Sequence, residues 1–450
     1  MEAWFYLPED ELYTIFDSMA DSVRFAVERT LTTHRGHTCS KSSFVDVEGD
    51  VVDWHDFGNL EGPGWAANAV GGAYELLSFG RFTANRRLVN IAFSILDHVL
   101  EDGFVDDETG MIIGYRDTKE KRLCLNFKHN DDWFCPGSMA KIAYQLLALS
   151  DLDPETERVQ RVQEIAVRCA EWIRSHVKPC PNGWFPRRVA PTGDPYPERP
   201  EGGPDPIFEK SADGLLILQL MTDLTRRGLA DYRKIVEQKA RLFTTLGGLF
   251  GSINHDTYDE HENVSYAVGF RVLRAAADLV GSTRLRAFAY DVCLKGLDQF
   301  KMTDDRHGVR TRGLLFMEKS WDTAYLWENA EAALAYLEAY GETRSLQHLS
   351  DALTILRAAA KHHHGPYGFL TEGVDWNNRV GRQNHVEGQE FGDINYTEPL
   401  LNNLHITEPT LLYLESHATK VHKGDREDRR VDFYDFEGNH ICSLYKAKGT

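Results

Sequence analysis

The chain has 450 residues, 42% hydrophobic and 11% aromatic, enough for one large repeat-built body or for two or three ordinary domains. Its formal net charge of −19 argues against nucleic acid or anionic membrane as main partners, because phosphate recognition needs a basic face. Cys39, Cys124, Cys135, Cys169, Cys180, Cys293 and Cys442 show no CxxC pairing, so neither a structural zinc nor a disulfide framework is expected, and no cofactor.

The first residues, MEAWFYLPEDELY, lack a basic stretch followed by an apolar run, and no apolar segment reaches the roughly 18 residues of a membrane span. A cytoplasmic location is expected. Along the chain, Gly49, Gly103, Gly183, Gly248, Gly308 and Gly368 each meet a short apolar or β-forming run, as in DGFVDDE, NGWFPRR and YGFLTEG. The last intervals are equal, 308−248 and 368−308 both being 60 residues. A fixed period of one supersecondary unit signals a repeat architecture.

Two kinds of helix alternate between the glycines. Val159, Val162, Ile165, Ala166, Cys169, Trp172 and Ile173 recur at three- and four-residue steps, which predicts an amphipathic helix with one wet face. GLLILQLM and AYLWENAEAALAYL are apolar around most of their circumference, which predicts burial on nearly all sides. The predicted inner and outer pairs are 65–80 with 83–101, 136–150 with 155–177, 211–227 with 230–246, 262–280 with 283–300, and 319–340 with 343–362. Helices at 10–34 and 399–416 pair to close the ring. The fold class is therefore all-α, an (α/α)6 toroid of six inner and six outer helices with short loop β-hairpins. An open superhelical solenoid is the alternative.

Residues 178–206 hold nine of the 16 prolines, which forbids helix and suits a rim loop or lid. The alternation of VDFYDFEGNHICSLY (431–445) predicts a C-terminal β-hairpin. The expected domains are a barrel over 1–417 and a tail over 418–450.

The link from glycine loop to inner helix gathers the polar and aromatic residues. Its copies are DWHDFGNLEGPGW, NFKHNDDWFCPG, DPIFEKSADG, NHDTYDEHENVSY, GLLFMEKSWD and RQNHVEGQEFGDINYTEP. In a toroid these loops converge on one end of the cavity, with helix N-termini favouring negative charge there. Rings that stack on pyranose faces beside carboxylates suit a sugar site. Asp132 and Asp213 are the first candidates for acid and base, with Glu262 and Glu390 in reserve; helix capping is the competing role for each. Trp65, Trp133, His255, His261, Tyr266, Trp321, Asp322 and His385 are candidate substrate contacts, and Arg187, Arg188 or Arg382 would hold a substrate carboxylate. His255, His261 and Glu262 lack metal-site spacing, and no metal is expected.

The two-helix repeat, the inner-helix carboxylates and the GPGW tryptophan resemble the (α/α)6-barrel carbohydrate-active enzymes. The chain is most similar to the unsaturated glucuronyl hydrolases, and more distantly to the N-acylglucosamine 2-epimerases. That resemblance implies that Asp132 and Asp213, the latter within SADGLLILQLM, carry the chemistry, and that Trp65 stacks on the sugar. The fourth repeat reads HENVSYAVGFR where the hydrolases carry Arg-Gly-x-Ala, which leaves an ordinary glycoside as compatible as an unsaturated uronide. The expected function is a glycoside hydrolase on a small or exo-cleaved saccharide, with carboxylates as acid and base. A lyase or epimerase using Tyr and His, with Asn254, His255, Tyr258 and His385 to watch, is the alternative. A non-enzymatic helical scaffold is the third reading. A small saccharide is the expected partner, and the acidic surface and terminal hairpin suit a homodimer.

Overall fold

The computed structural model describes residues 15–53, 58–65, 67–128, 131–196, 210–251, 253, 259–319, 323–364, 367–376, 392–417, 420–423, 430–434 and 440–445. The helices are α1 Ile15–Phe25, α2 Ala69–Phe82, α3 Arg86–Glu101, α4 Pro136–Ser150, α5 Thr156–His176, α6 Gly214–Arg226, α7 Arg233–Thr245, α8 Asn263–Val280, α9 Thr283–Phe288, α10 Leu326–Thr343, α11 Leu346–Ala360 and α12 Thr407–His417. A π-helical turn, Ala289–Leu294, and a 3-10 turn, Leu297–Phe300, extend α9.

Helices α2, α4, α6, α8, α10 and α12 each touch the next, and α12 returns to touch α2, so the ring is closed. Each packs against an outer partner: α3, α5, α7, α9 and α11 follow their inner helices, and α1 covers α12. The closed (α/α)6 toroid is therefore the fold, and the open solenoid is excluded. Burial separates the two layers as the sequence pattern predicts. Helix α10 is buried continuously from Leu326 to Leu337, whereas α7 buries Val236, Ala240 and Phe243 on one stripe. Phe243 meets Trp184 and Phe250 between the layers, and each such side chain contributes roughly 1.5–3 kcal/mol.

All six periodic glycines adopt positive φ, between 82° and 97°. Each reverses the chain in a left-handed conformation that a β-carbon disfavours. At Gly368 a β-carbon would also lie 2.5 Å from the Asp21 carbonyl oxygen.

The predicted boundaries need three corrections. Helix α10 begins at Leu326, not 319, because Thr323–Tyr325 pair antiparallel with Gly373–Asp375. Helix α12 begins at Thr407, not 399, because residues 399–406 turn beside Glu398, whose carbonyl accepts from the Leu401 and Asn403 amides. At the N-terminal end, α1 and a following π-turn stop at Thr30, and Leu31–His34 pair with His37–Ser40. The turn Arg35-Gly36 has positive φ at both residues, the geometry that matches hairpin twist.

The described part of the proline-rich segment, 178–196, is turns and bridges, with Trp184 and Arg187 fully buried. At the C-terminal end, Lys420–Lys423, Arg430–Tyr434 and His440–Tyr445 form a three-stranded antiparallel sheet, one strand more than the expected hairpin. Its last strand touches α1. Among the described residues, no helix is long and apolar enough to cross a membrane.

Candidate functional site

The inner helices carry isolated charges where their surroundings are apolar: Glu75 on α2, Lys141 on α4, Arg271 on α8 and Glu331 on α10. His405 and Glu408 flank the start of α12. Charges withdrawn from water need partners; Glu75, Lys141, Glu331 and His405 are buried and Arg271 and Glu408 partly so, and they gather where the inner helices face one another. With Gln219 of α6 they line a cavity of about 80 Å3, so all six inner helices contribute to one chamber.

His405 is the junction of this chamber. Its Nδ1 lies 3.1 Å from Glu75 Oε1 and its Nε2 lies 3.1 Å from Glu331 Oε1. Arg271 donates to Glu331 Oε2 at 2.8 Å and to Glu338 Oε1 at 2.9 Å. Lys141 Nζ sits 3.4 Å above the Trp65 ring, and Trp65 meets Trp327 edge-on at 5.3 Å. A cation so placed gains from the ring's quadrupole, more when water is excluded.

The environment shifts these groups in opposite directions. Burial pushes the Glu75 carboxyl up to about 7, with His405 only partly opposing it. Burial disfavours the ionised form of Glu331 too, but Arg271 and His405 prevail and hold it well below the usual range. Burial likewise opposes protonation of His405, yet its hydrogen bond to Glu331 and the Glu75 carboxylate beside it raise it to about 9. Lys141 falls to about 8, because burial outweighs Glu331 and Glu75. One cavity thus holds an acid and two bases titrating between about 7 and about 9, the range suited to proton transfer.

A second polar group stands at the N-terminal ends of α6 and α8. Asp213 is buried at the N-cap of α6, accepts from Ser211 Oγ at 3.0 Å and lies 3.7 Å from Arg187 Nε. Glu262, fully buried at the N-cap of α8, accepts from the Ile253 amide at 2.7 Å and from Ser265 Oγ at 3.2 Å. Its Oε1 is buried and has no hydrogen-bond partner among the described residues. Burial raises its carboxyl to about 8; Glu318 adds to this while the Ile253 amide and Arg187 oppose it. Glu262 is therefore protonated at neutral pH.

The residues singled out from the sequence divide accordingly. Arg187, Asp213 and Glu262 come together, and Trp65 stands beside the axial chamber. Asp132 lies on an exposed turn three residues before Cys135, which is the N-cap of α4, so Asp132 does not begin that helix. Trp133 is buried against Phe127 beneath the Arg188 guanidinium, which sits 4.1 Å from its ring. Tyr266 stacks on Phe250 and packs toward Gly296 and Phe300 of the outer layer, its hydroxyl 2.7 Å from exposed His261 Nδ1. Asn254, His255, Tyr258, Trp321, Asp322, Arg382, His385 and Glu390 lie outside the described residues. The axial residues Glu75, Lys141, Arg271, Glu331, His405 and Glu408 escaped the loop-centred reading. Of these, Lys141 alone is a lone charge inside an otherwise apolar helix, PGSMAKIAYQLLALS.

No protein-family model and no curated protein sequence matches the chain. Solved structures do. The cellobiose 2-epimerase of Spirochaeta thermophila is similar with a TM-score of 0.58 at 16% identity, over 88% of this chain and 94% of that one. A D-mannose isomerase gives a TM-score of 0.58 at 11% identity, over 91% and 99%. The unsaturated glucuronyl hydrolase of Bacillus sp. GL1 gives 0.52 at 13%, over 89% and 96%. These likenesses establish the (α/α)6 fold shared with such enzymes.

Proposed function

We propose that the chain is a carbohydrate-active enzyme that moves a proton at a sugar carbon, acting as an epimerase or isomerase at the barrel axis. The observation that carries this reading is the Glu75–His405–Glu331 contact with Lys141 beside it: a carboxylate, an imidazolium and an amine lining one buried cavity. The cavity has room for several waters at roughly 10–15 Å3 each, and the carbonyl end of an open-chain sugar would displace them. Glu75, ionised, takes the proton from the carbon next to the carbonyl. The C–H electron pair becomes the enediolate double bond, and the negative charge on oxygen is met by His405, Lys141 and Arg271. Return of a proton to the same carbon from the other side gives the epimer, and return to the neighbouring carbon gives the isomer. Trp65 and Trp327 back the chamber from behind Lys141, whose Nζ lies 3.4 Å and 5.9 Å from their rings. The fold shared with a cellobiose 2-epimerase and a D-mannose isomerase supports the reading.

Glycoside hydrolysis is the second reading, favoured by Glu262 and Asp213. Glu262, protonated at neutral pH, would be the general acid, and Asp213 beside Arg187 and Ser211 the ionised partner. Chromatography of products from reducing mono- and disaccharides and from aryl glycosides separates the two. A new epimer or ketose that disappears in Glu75→Gln supports proton transfer; aglycone release that disappears in Glu262→Gln supports hydrolysis and refutes the first reading.

A further inference from the structure

A second charged cluster lies outside the barrel axis, where the Leu31–Ser40 hairpin packs on outer helix α3. His98 on α3 is fully buried, and its two ring nitrogens face different partners. Nδ1 lies 2.6 Å from Asp102 Oδ2, one helical turn on, and Nε2 lies 3.0 Å from Glu61 Oε2. Cys39, from the hairpin's second strand, is 1% exposed, and its Sγ falls within 4.8 Å of both the His98 and the Glu61 ligand atoms. Arg116 Nε holds the other Glu61 oxygen, Oε1, which also lies 3.2 Å from His98 Nε2.

We infer that Cys39, Glu61 and His98 form a binding site for one divalent zinc-class cation, with Asp102 fixing the histidine that ligates it. The donor set of one thiolate, one imidazole and one carboxylate suits a tetrahedral borderline-soft ion, with water as fourth ligand. Bonds of roughly 2.0 Å in a tetrahedron put two ligand atoms roughly 3.3 Å apart. The 3.0 Å between His98 Nε2 and Glu61 Oε2 needs only a slight opening to reach that separation. Asp102 on Nδ1 supplies the carboxylate–histidine–metal arrangement that fixes the tautomer and directs the Nε2 lone pair at the ion. The exchange balances in charge: the cation replaces two protons, one from the Cys39 thiol and one from His98 Nε2, and both leave to solvent. Bound there, the ion ties the hairpin, strand Leu60–Glu61 and α3 together as a structural clip.

Titration of chelator-treated full-length protein with cobalt(II) tests this site. The expected result is uptake of one cobalt per chain, a near-ultraviolet thiolate-to-cobalt band and a raised Tm. The band is lost in Cys39→Ser and kept in Cys293→Ser, whose thiol is equally buried. No band in the wild type, or a band that survives Cys39→Ser, overturns the proposal. Because Cys39→Ser affects a buried position, zinc-edge X-ray absorption of zinc-loaded wild type gives an independent answer. One sulfur scatterer among nitrogen and oxygen ligands supports the site; a shell of nitrogen and oxygen alone refutes it.

Discussion

His405 Nε2 lies 3.1 Å from Glu331 Oε1, a contact between residues 74 positions apart that joins the last two inner helices of the ring. It also sorts the two carboxylates around the imidazole. Glu331, which Arg271 also reaches, carries the permanent charge; Glu75, without such a guanidinium, is left to titrate near neutrality.

Glu331→Gln leaves the buried Arg271 and His405 cations without their shared counter-charge. Removing one partner of a buried pair typically costs about 3–5 kcal/mol. Urea unfolding should show a loss of that size, with a smaller loss for Glu75→Gln, whose carboxyl is already partly neutral at pH 7. Equal losses would mean that the two carboxylates are not differentiated.

Catalysis by an ionised Glu75 and a protonated His405 gives a bell-shaped pH profile for kcat/KM. Activity rises as Glu75 ionises through about 7 and falls as Lys141 and then His405 deprotonate, through about 8 and about 9. Steady-state rates across this window should show both limbs, and Glu75→Asp should move the acid limb while leaving the alkaline one in place.

Glu262 makes a linkage prediction. Its folded pKa is raised from 4.5 to about 8, so the folded state holds the proton more tightly than the unfolded chain. That contribution is fully present below 4.5 and is lost as pH rises through 8, by at most about 1.4 kcal/mol per pH unit. Glu262→Gln cannot ionise, so the wild type should lose stability relative to this variant between pH 5 and 8. A constant difference across that range, measured by denaturant unfolding, would contradict the buried neutral carboxyl.

The repeating glycines differ in what a methyl group would strike. At Gly308 a β-carbon meets nothing within 4 Å, so Gly308→Ala carries only the left-handed penalty, about 1–2 kcal/mol. At Gly368 the Asp21 backbone is 2.5 Å away, and Gly368→Ala should lower Tm further than Gly308→Ala. Matching shifts would show that the close approach relaxes at no cost.

The sequence patterns revealed much of the architecture. The glycine period anticipated a repeat architecture, and circumferential apolarity in GLLILQLM and AYLWENAEAALAYL anticipated the buried layer. One boundary failed because its pairing partner lay far away: Thr323–Tyr325 become a strand only because Gly373–Asp375 come alongside. The loop slots led to Asp213 and Glu262, yet local spacing does not reveal which charges share an axis. Glu75, Lys141 and Arg271 lie on separate helices and meet only when the ring closes. His405 sits in the turn before α12, so helix periodicity gives it no signal.

The central claim is that this barrel moves a carbon-bound proton of a sugar at Glu75 and His405. Proton NMR of reducing aldoses and disaccharides incubated with the enzyme in heavy water reads that step directly. The account predicts loss of the C2 proton signal with wild type, reduced at least a hundredfold in Glu75→Gln. Glycoside cleavage with the C2 proton fully retained, or exchange undiminished in Glu75→Gln, would contradict it.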